Sequence, residues 1–163
     1  MVALAATFSV FSQKRLDKKA DKQMEAWRYE IECAGIGQDG TYLIKVWSFS
    51  KKPSIAVEHA KKNAVHGVIF KGFTGAQGCT GQKPLAQSPA LEQEKEEFFD
   101  NFFAQGGKWM KFVNCTSDGV PAANDCIKVG KEYKVGIIVS VAKDALRQDL
   151  EAAGIIKGLS SGF

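Results

Sequence analysis

Apolar and polar residues alternate along several segments of the chain, in the period of two that predicts β-strands with one buried face. Residues 27–33 alternate large apolar side chains with arginine and glutamate, and residues 132–141 show the clearest alternation in the sequence. Residues 41–50 are apolar on both faces, which predicts a more central strand that pairs with the first in a hairpin. A turn-rich stretch at 116–121 divides the later β region, residues 108–142, into the two arms of a second predicted hairpin.

Three further segments have the spacing of helices that bury one side. The first begins at Ser54, its predicted N-cap, and carries alanines at every fourth position that allow close packing on a sheet. The second begins with a capping serine at Ser88 and ends at Gly106, and the third covers residues 143–153. This order of elements predicts an α+β fold, an antiparallel sheet from two hairpins with about three helices packed on it.

The chain is 163 residues long, 45% apolar and 25% charged, which is the size and composition of one globular domain. We assign residues 27–156 to this domain and residues 157–163 to a flexible tail. The formal net charge of +4 is too small to indicate nucleic acid as a partner.

The first twelve residues are uncharged and mostly apolar, and a basic stretch follows, as in a secretory signal peptide. We therefore predict that residues 1–12 are a signal peptide and residues 13–26 a basic N-terminal arm or helix. No lysine or arginine precedes the apolar run, so its alternative is a buried helix or strand of a cytosolic domain. The arm is predicted to be solvated, and its alternative role is to bind phosphate or anionic lipid.

Two glycine-rich segments separate the predicted elements. The letters of GxGxxG occur at 35–40, but a strand follows in place of the helix that a dinucleotide site needs, so we assign a hairpin loop there. Residues 72–88 hold four glycines and form a long loop, and loops of this length inside a compact domain are usually functional or disordered. We expect a binding role for this loop, although its sequence indicates no particular ligand.

The second predicted helix carries four phenylalanines within six residues, and they form one broad apolar face. Packing of this face against the sheet is the default expectation, since a buried aromatic side chain contributes about 1.5–3 kcal/mol. The alternative is an exposed ridge that docks a partner. The candidate partner-binding residues are Phe98, Phe99, Phe102 and Phe103.

The chain contains four cysteines, so disulfide bonds can form between them. If the second predicted hairpin places Cys115 opposite Cys126, its register is compatible with a cross-strand disulfide, and we predict this bond, with two free thiols as the alternative. Cys33 is predicted to be a buried thiol on the inward face of its strand. A second bond, between Cys33 and Cys79, stays open, and so does a nucleophilic role for Cys79.

The two histidines do not form a predicted metal site. His59 and His66 are seven residues apart on a helix, about 10 Å along its axis, which is too far for both to chelate one ion. We expect them on the polar face or at a cap. Cysteine spacing indicates no zinc site either, so we predict no catalytic residue, cofactor or metal.

A hairpin followed by an alanine-striped helix, and a late strand KEYKVGIIVSV that runs into the helix KDALRQDLEAAG, make a recognisable pattern. Over residues 27–153 it resembles the small exported domain at the N-terminus of flagellar assembly protein T and in related bacterial envelope lipoproteins. The resemblance implies a non-enzymatic envelope component that assembles with other proteins.

We therefore predict an exported, periplasmic or secreted, non-enzymatic binding or assembly protein of the bacterial cell envelope. Its expected partners are envelope proteins and not nucleic acid, while peripheral membrane contact and the oligomeric state stay open. One alternative is an exported enzyme that uses a thiol near Cys79, with His59 or His66 as its base. The other is a cytosolic nucleic-acid-binding domain that uses the basic residues 14–22.

Overall fold

The computed structural model describes residues 27–76 and 78–158. The predicted signal peptide (1–12), the basic arm (13–26) and residues 159–163 of the predicted tail lie outside this part of the chain. The described residues form an antiparallel sheet with helices packed on it, so the α+β prediction is confirmed.

In the described part of the chain the sheet has five strands in the order β1-β2-β5-β3, and β4 also pairs with β5. β2 and β5 are therefore the central pair, as the doubly apolar sequence of β2 predicts. The strands are β1 (Tyr29–Gly35), β2 (Tyr42–Ser50), β3 (Val113–Cys115), β4 (Cys126–Val129) and β5 (Glu132–Val141).

Among residues 27–76 and 78–158, four α-helices accompany the sheet, with short 3-10 turns at Lys108–Phe112 and Ala123–Asp125. The longest, α1, packs across β2 and β5, and its alanine stripe is fully buried there. Small side chains let the helix approach the sheet closely. The helices are α1 (Pro53–Phe70), α2 (Leu91–Glu94), α3 (Glu96–Phe102) and α4 (Lys143–Ala152).

The helix starts differ from the predicted ones. Lys52, and not Ser54, occupies the N-cap of α1, where Pro53 takes the first turn. The helix predicted from Ser88 begins at Leu91 and is interrupted at Lys95, whose backbone leaves the helical region. Ser88 still acts locally, because its Oγ accepts a hydrogen bond from the Ala90 backbone N–H at 3.2 Å.

The second predicted hairpin is wrong in its pairing. Residues 108–112, predicted as part of a strand, form a 3-10 turn, and β3 and β4 each pair with β5 and not with each other. β5 is ten residues long, so one of its edges accommodates both short strands end to end. In this later β region, the hairpin that forms joins β4 to β5.

The two faces of the sheet have different environments. Ile137 is 3% exposed on the face that α1 covers, whereas its neighbour Ile138 points to the other face and is 36% exposed. Alternation along β5 thus separates a core face from an open face, as a period of two requires.

This difference yields a matched pair of substitutions on one strand. We expect Ile137→Ala to lower the free energy of unfolding by about 2–5 kcal/mol, because it leaves a cavity in the core. Ile138→Ala removes the same atoms from the open face and should cost less than about 1 kcal/mol. Urea denaturation of both variants measures the difference, and equal losses would contradict the assignment of faces.

Candidate functional site

A disulfide joins the long loop to the sheet. Cys33 in β1 bonds Cys79 in the loop, with 6.2 Å between their Cα atoms and a separation of 46 positions in sequence. The pairing that the sequence left open is therefore present, and the expectation that Cys33 is a free buried thiol is wrong. The bond ties the tip of the loop to the edge strand of the sheet.

The predicted disulfide between Cys115 and Cys126 is absent, and both residues are free, half-buried thiols. Cys115 pairs with Val139 of β5 and Cys126 with Val135, four residues away along the same strand. At about 3.4 Å per residue this separates the two cysteines by roughly 14 Å, which is beyond the reach of a disulfide. The assumption that β3 and β4 face each other caused the error.

Backbone hydrogen bonds organise the loop at residues 72–88. Phe73 and Gln82 exchange two of them at 2.9 and 2.8 Å, and Ala86 donates one to the Ile69 carbonyl at 2.8 Å. Gly72 makes the turn out of α1 with φ of +63°, and a Cβ there would lie 2.3 Å from the Gln82 carbonyl oxygen. The loop is thus a small folded unit held against the end of α1.

A cleft of about 380 Å³ opens between this loop, the start of β2 and the first turns of α4. Three of its side chains are cationic and one, Asp144, is anionic. Lys143 Nζ lies 3.3 Å from the Asp144 carboxylate, and the Arg147 guanidinium lies 3.3 Å from Glu151, one turn along the helix. The lining residues are Tyr42, Gly81, Gln82, Lys83, Pro84, Leu85, Lys143, Asp144 and Arg147.

Tyr42 connects the strand to the loop at the wall of the cleft. Its hydroxyl donates a hydrogen bond to Gln82 Oε1 at 2.9 Å, and its ring packs edge to face on Phe73. Burial raises the pKa of Tyr42, and the neighbouring Lys143 opposes this only in part. The hydroxyl therefore stays protonated at neutral pH and acts as a donor.

A second polar cluster surrounds His66, which is 4% exposed on α1. The Tyr29 hydroxyl lies 2.7 Å from its Nδ1, and the Glu92 carboxylate lies 3.1 Å from its Nε2. The Trp27 ring stacks on the imidazole with 3.5 Å between centroids. His66 thus joins β1, α1 and α2, and the expectation of a polar-face or cap position is wrong for it.

The sequence did not point to this cluster, because its members come from three separate segments. Alternation in β1 predicted that Tyr29 faces inward, but nothing local indicated Glu92 as a partner for the imidazole. Burial lowers the pKa of His66, and its hydrogen bond to Glu92 opposes this in part. Because aromatic rings enclose the neutral imidazole, the cluster acts as a structural link. His59, the other histidine of α1, is half-buried.

The phenylalanines proposed as a docking ridge are mostly part of the core. Phe99, Phe102 and Phe103 are 3–4% exposed, and Phe98 is half-buried against them. Their rings pack on one another and on Phe112, so Phe99, Phe102 and Phe103 do not form an exposed ridge. The default expectation of core packing describes them correctly.

The free thiol of Cys115 borders a second cavity of about 330 Å³, which Lys61, Trp109 and Asp118 also line. Burial raises the pKa of Cys115, although the nearby Lys61 acts in the opposite direction. A raised pKa leaves little thiolate at neutral pH, so this cysteine lacks the property of an activated nucleophile.

Within residues 27–76 and 78–158, no three histidine, cysteine, aspartate or glutamate side chains are grouped closely enough to hold a metal ion. No helix in the same ranges is long and apolar enough to span a bilayer. Comparison of the chain with protein-family models, with curated proteins and with solved structures finds no match.

The burial of His66 predicts a pH dependence of stability. Its folded-state pKa lies below the ordinary value of 6.5, so the unfolded chain takes up the proton first as the pH falls. The stability due to neutral His66 is complete above about pH 6.5 and is lost as the pH falls through the folded-state pKa. We expect a loss of up to about 1.4 kcal/mol per pH unit in this window.

Denaturation at a series of pH values between about 7.5 and 5 measures this loss. His66→Gln should flatten the pH dependence relative to the unchanged protein. An unchanged slope in His66→Gln would show that other groups cause the pH dependence.

The disulfide predicts a large effect of its own. Because the cysteines are separated by 46 positions in sequence, loss of the bond in a Cys33→Ala, Cys79→Ala double variant should lower the free energy of unfolding by about 4 kcal/mol. Cys126→Ala removes a free thiol and should cost less than about 1 kcal/mol. Thermal or denaturant unfolding under non-reducing conditions compares the two, and an equally stable double variant would contradict the prediction.

Proposed function

We propose that this protein is an exported, non-enzymatic binding and assembly protein of the bacterial cell envelope that uses its disulfide-tied loop as the binding element. The Cys33–Cys79 bond is the observation that carries the proposal. Disulfides of this kind persist in oxidising compartments such as the periplasm and are rare in the cytosol. The signal-like pattern of residues 1–12 supports the same compartment.

The form of the loop supports a binding role. Binding residues are often carried by loops that a rigid scaffold positions, and here a disulfide, backbone hydrogen bonds and the Tyr42–Gln82 contact hold the loop in place. Order of this degree lowers the entropy that a loop loses when it engages a partner. The resemblance to exported envelope domains supports partners that are themselves envelope proteins.

An enzyme that uses a thiol of the loop, the alternative from the sequence, would have no free nucleophile in this structure. Cys79 is disulfide-bonded and carries no thiol, and His66, offered as its base, is buried between Tyr29 and Glu92. Reduction of the bond would be required before Cys79 could attack a substrate. The non-enzymatic proposal needs no such step.

Cell fractionation combined with thiol alkylation of the native protein tests the compartment. We expect the protein in the exported fraction, with two alkyl groups added after denaturation without reductant and four after reduction, because two cysteines are bonded and two are free. A cytosolic protein that takes up four alkyl groups without reductant would contradict the proposal. Cross-linking in intact cells then tests assembly, and recovery of the protein alone would count against that role.

A further inference from the structure

We propose that the cleft between the loop, β2 and α4 binds a small molecule through an oxyanion group, either phosphate or carboxylate. This ligand class rests on the proposed function, because the same disulfide-tied loop forms one wall of the cleft. The cleft volume of about 380 Å³ lies in the range of small-molecule sites and is too small for a folded partner.

The charges of the cleft favour an anion. Lys83 comes from the loop, whereas Lys143 and Arg147 come from α4, so two separate segments bring positive charge to one concave surface. Asp144 is the acidic residue among the lining side chains, and it offsets one of the three charges. The Asp144 backbone N–H at the start of α4 already donates to the Gly40 carbonyl at 3.1 Å, so it does not serve a ligand. The positive charge of the cleft therefore comes from its side chains.

The cationic side chains keep donors for a ligand. Arg147 contacts Glu151 through Nη1 at 3.3 Å, and a guanidinium has five N–H donors, so several stay available for a second oxyanion. Paired N–H donors of arginine match the two oxygens of a carboxylate or phosphate. Lys83 is exposed and forms no ion pair within the described residues.

A neutral donor lies at the same wall. The Tyr42 hydroxyl donates a hydrogen bond to Gln82 Oε1 and so fixes the side-chain amide of Gln82. The Nε2 donor of that amide takes no part in this contact. Pro84 and Leu85 add apolar surface for the remainder of a small organic molecule. The combination of convergent donors with an apolar wall is typical of ligand sites.

The second cavity provides an internal contrast. It has a similar volume, about 330 Å³, but its cation Lys61 pairs with Glu58 at 2.8 Å and its lining also includes Asp118. Positive charge is thus compensated there, whereas in the proposed cleft Lys143 pairs with Asp144 and Arg147 with Glu151, which leaves Lys83 as the cation without an ion pair among the described residues. The two cavities differ in charge and not in size.

Titration calorimetry of the purified, disulfide-bonded protein at low ionic strength tests the proposal, with inorganic phosphate, glycerol phosphate and citrate as probes and glycerol as the neutral control. We expect saturable binding of at least one organic anion and none of glycerol. Tighter binding of glycerol phosphate than of citrate would identify the recognised oxyanion as phosphate. Tighter binding of citrate would identify it as carboxylate.

Variants locate the site. Lys83→Gln and Arg147→Gln should each weaken binding by about tenfold or more, since each removes charge-assisted hydrogen bonds. Lys128→Gln removes the same charge from the exposed surface of β4 and should change the affinity by less than about twofold. Arg147→Gln also loses the Glu151 contact, so the melting temperature is measured for every variant and Lys83→Gln, without an ion pair, decides the outcome.

Absence of saturable binding for all three anions, or an equal effect of Lys128→Gln, overturns the proposal. Its failure is distinguishable from failure of the proposed function. If the protein is exported and disulfide-bonded but binds no anion, the proposed ligand class is wrong and the proposed function stands. If the protein binds the anion but is found in the cytosolic fraction, the export proposal is wrong and the proposed ligand class stands.

Discussion

The antiparallel pairing of β2 with β5 is the interaction on which the rest of the domain depends. It runs without a break from Tyr42 opposite Val141 to Ser50 opposite Tyr133. In this register Ile44 lies across from Val139, and both side chains are fully buried beneath α1. A slip of one residue would turn the apolar side chains of a strand to the open face, so core burial determines the register.

The same register determines where the cleft forms. Because Tyr42 pairs with Val141, the helix that starts two residues after Val141 begins beside the Tyr42 ring. Lys143 and Arg147 are therefore delivered to the end of the sheet at which the loop returns from α1. The disulfide and the turn at Gly72 then hold the loop against that end. The cleft is a product of strand pairing and chain direction.

Buried polar contacts add specificity to an apolar core. Asn63 of α1 donates to Ser48 of β2 at 2.8 Å, and His66 one turn later contacts Tyr29 and Glu92. Both positions lie on the sheet-facing side of α1, where a shift of the helix would leave these groups without partners. Unpaired buried polar groups are costly, so such contacts favour one helix position over its neighbours.

Local patterns in the sequence determined the α+β class, the strands predicted at 27–33, 41–50 and 132–141, which the structure places at 29–35, 42–50 and 132–141, and the approximate extents of α1 and α4, because periodicity reports which side of an element is buried. Three outcomes were decided only by the tertiary structure: β3 and β4 share one edge of β5, Cys33 bonds Cys79, and His66 is buried. Each depends on residues far apart in the chain. Sequence spacing contains no information on which distant segments meet, whereas strand register and helix packing set those distances directly.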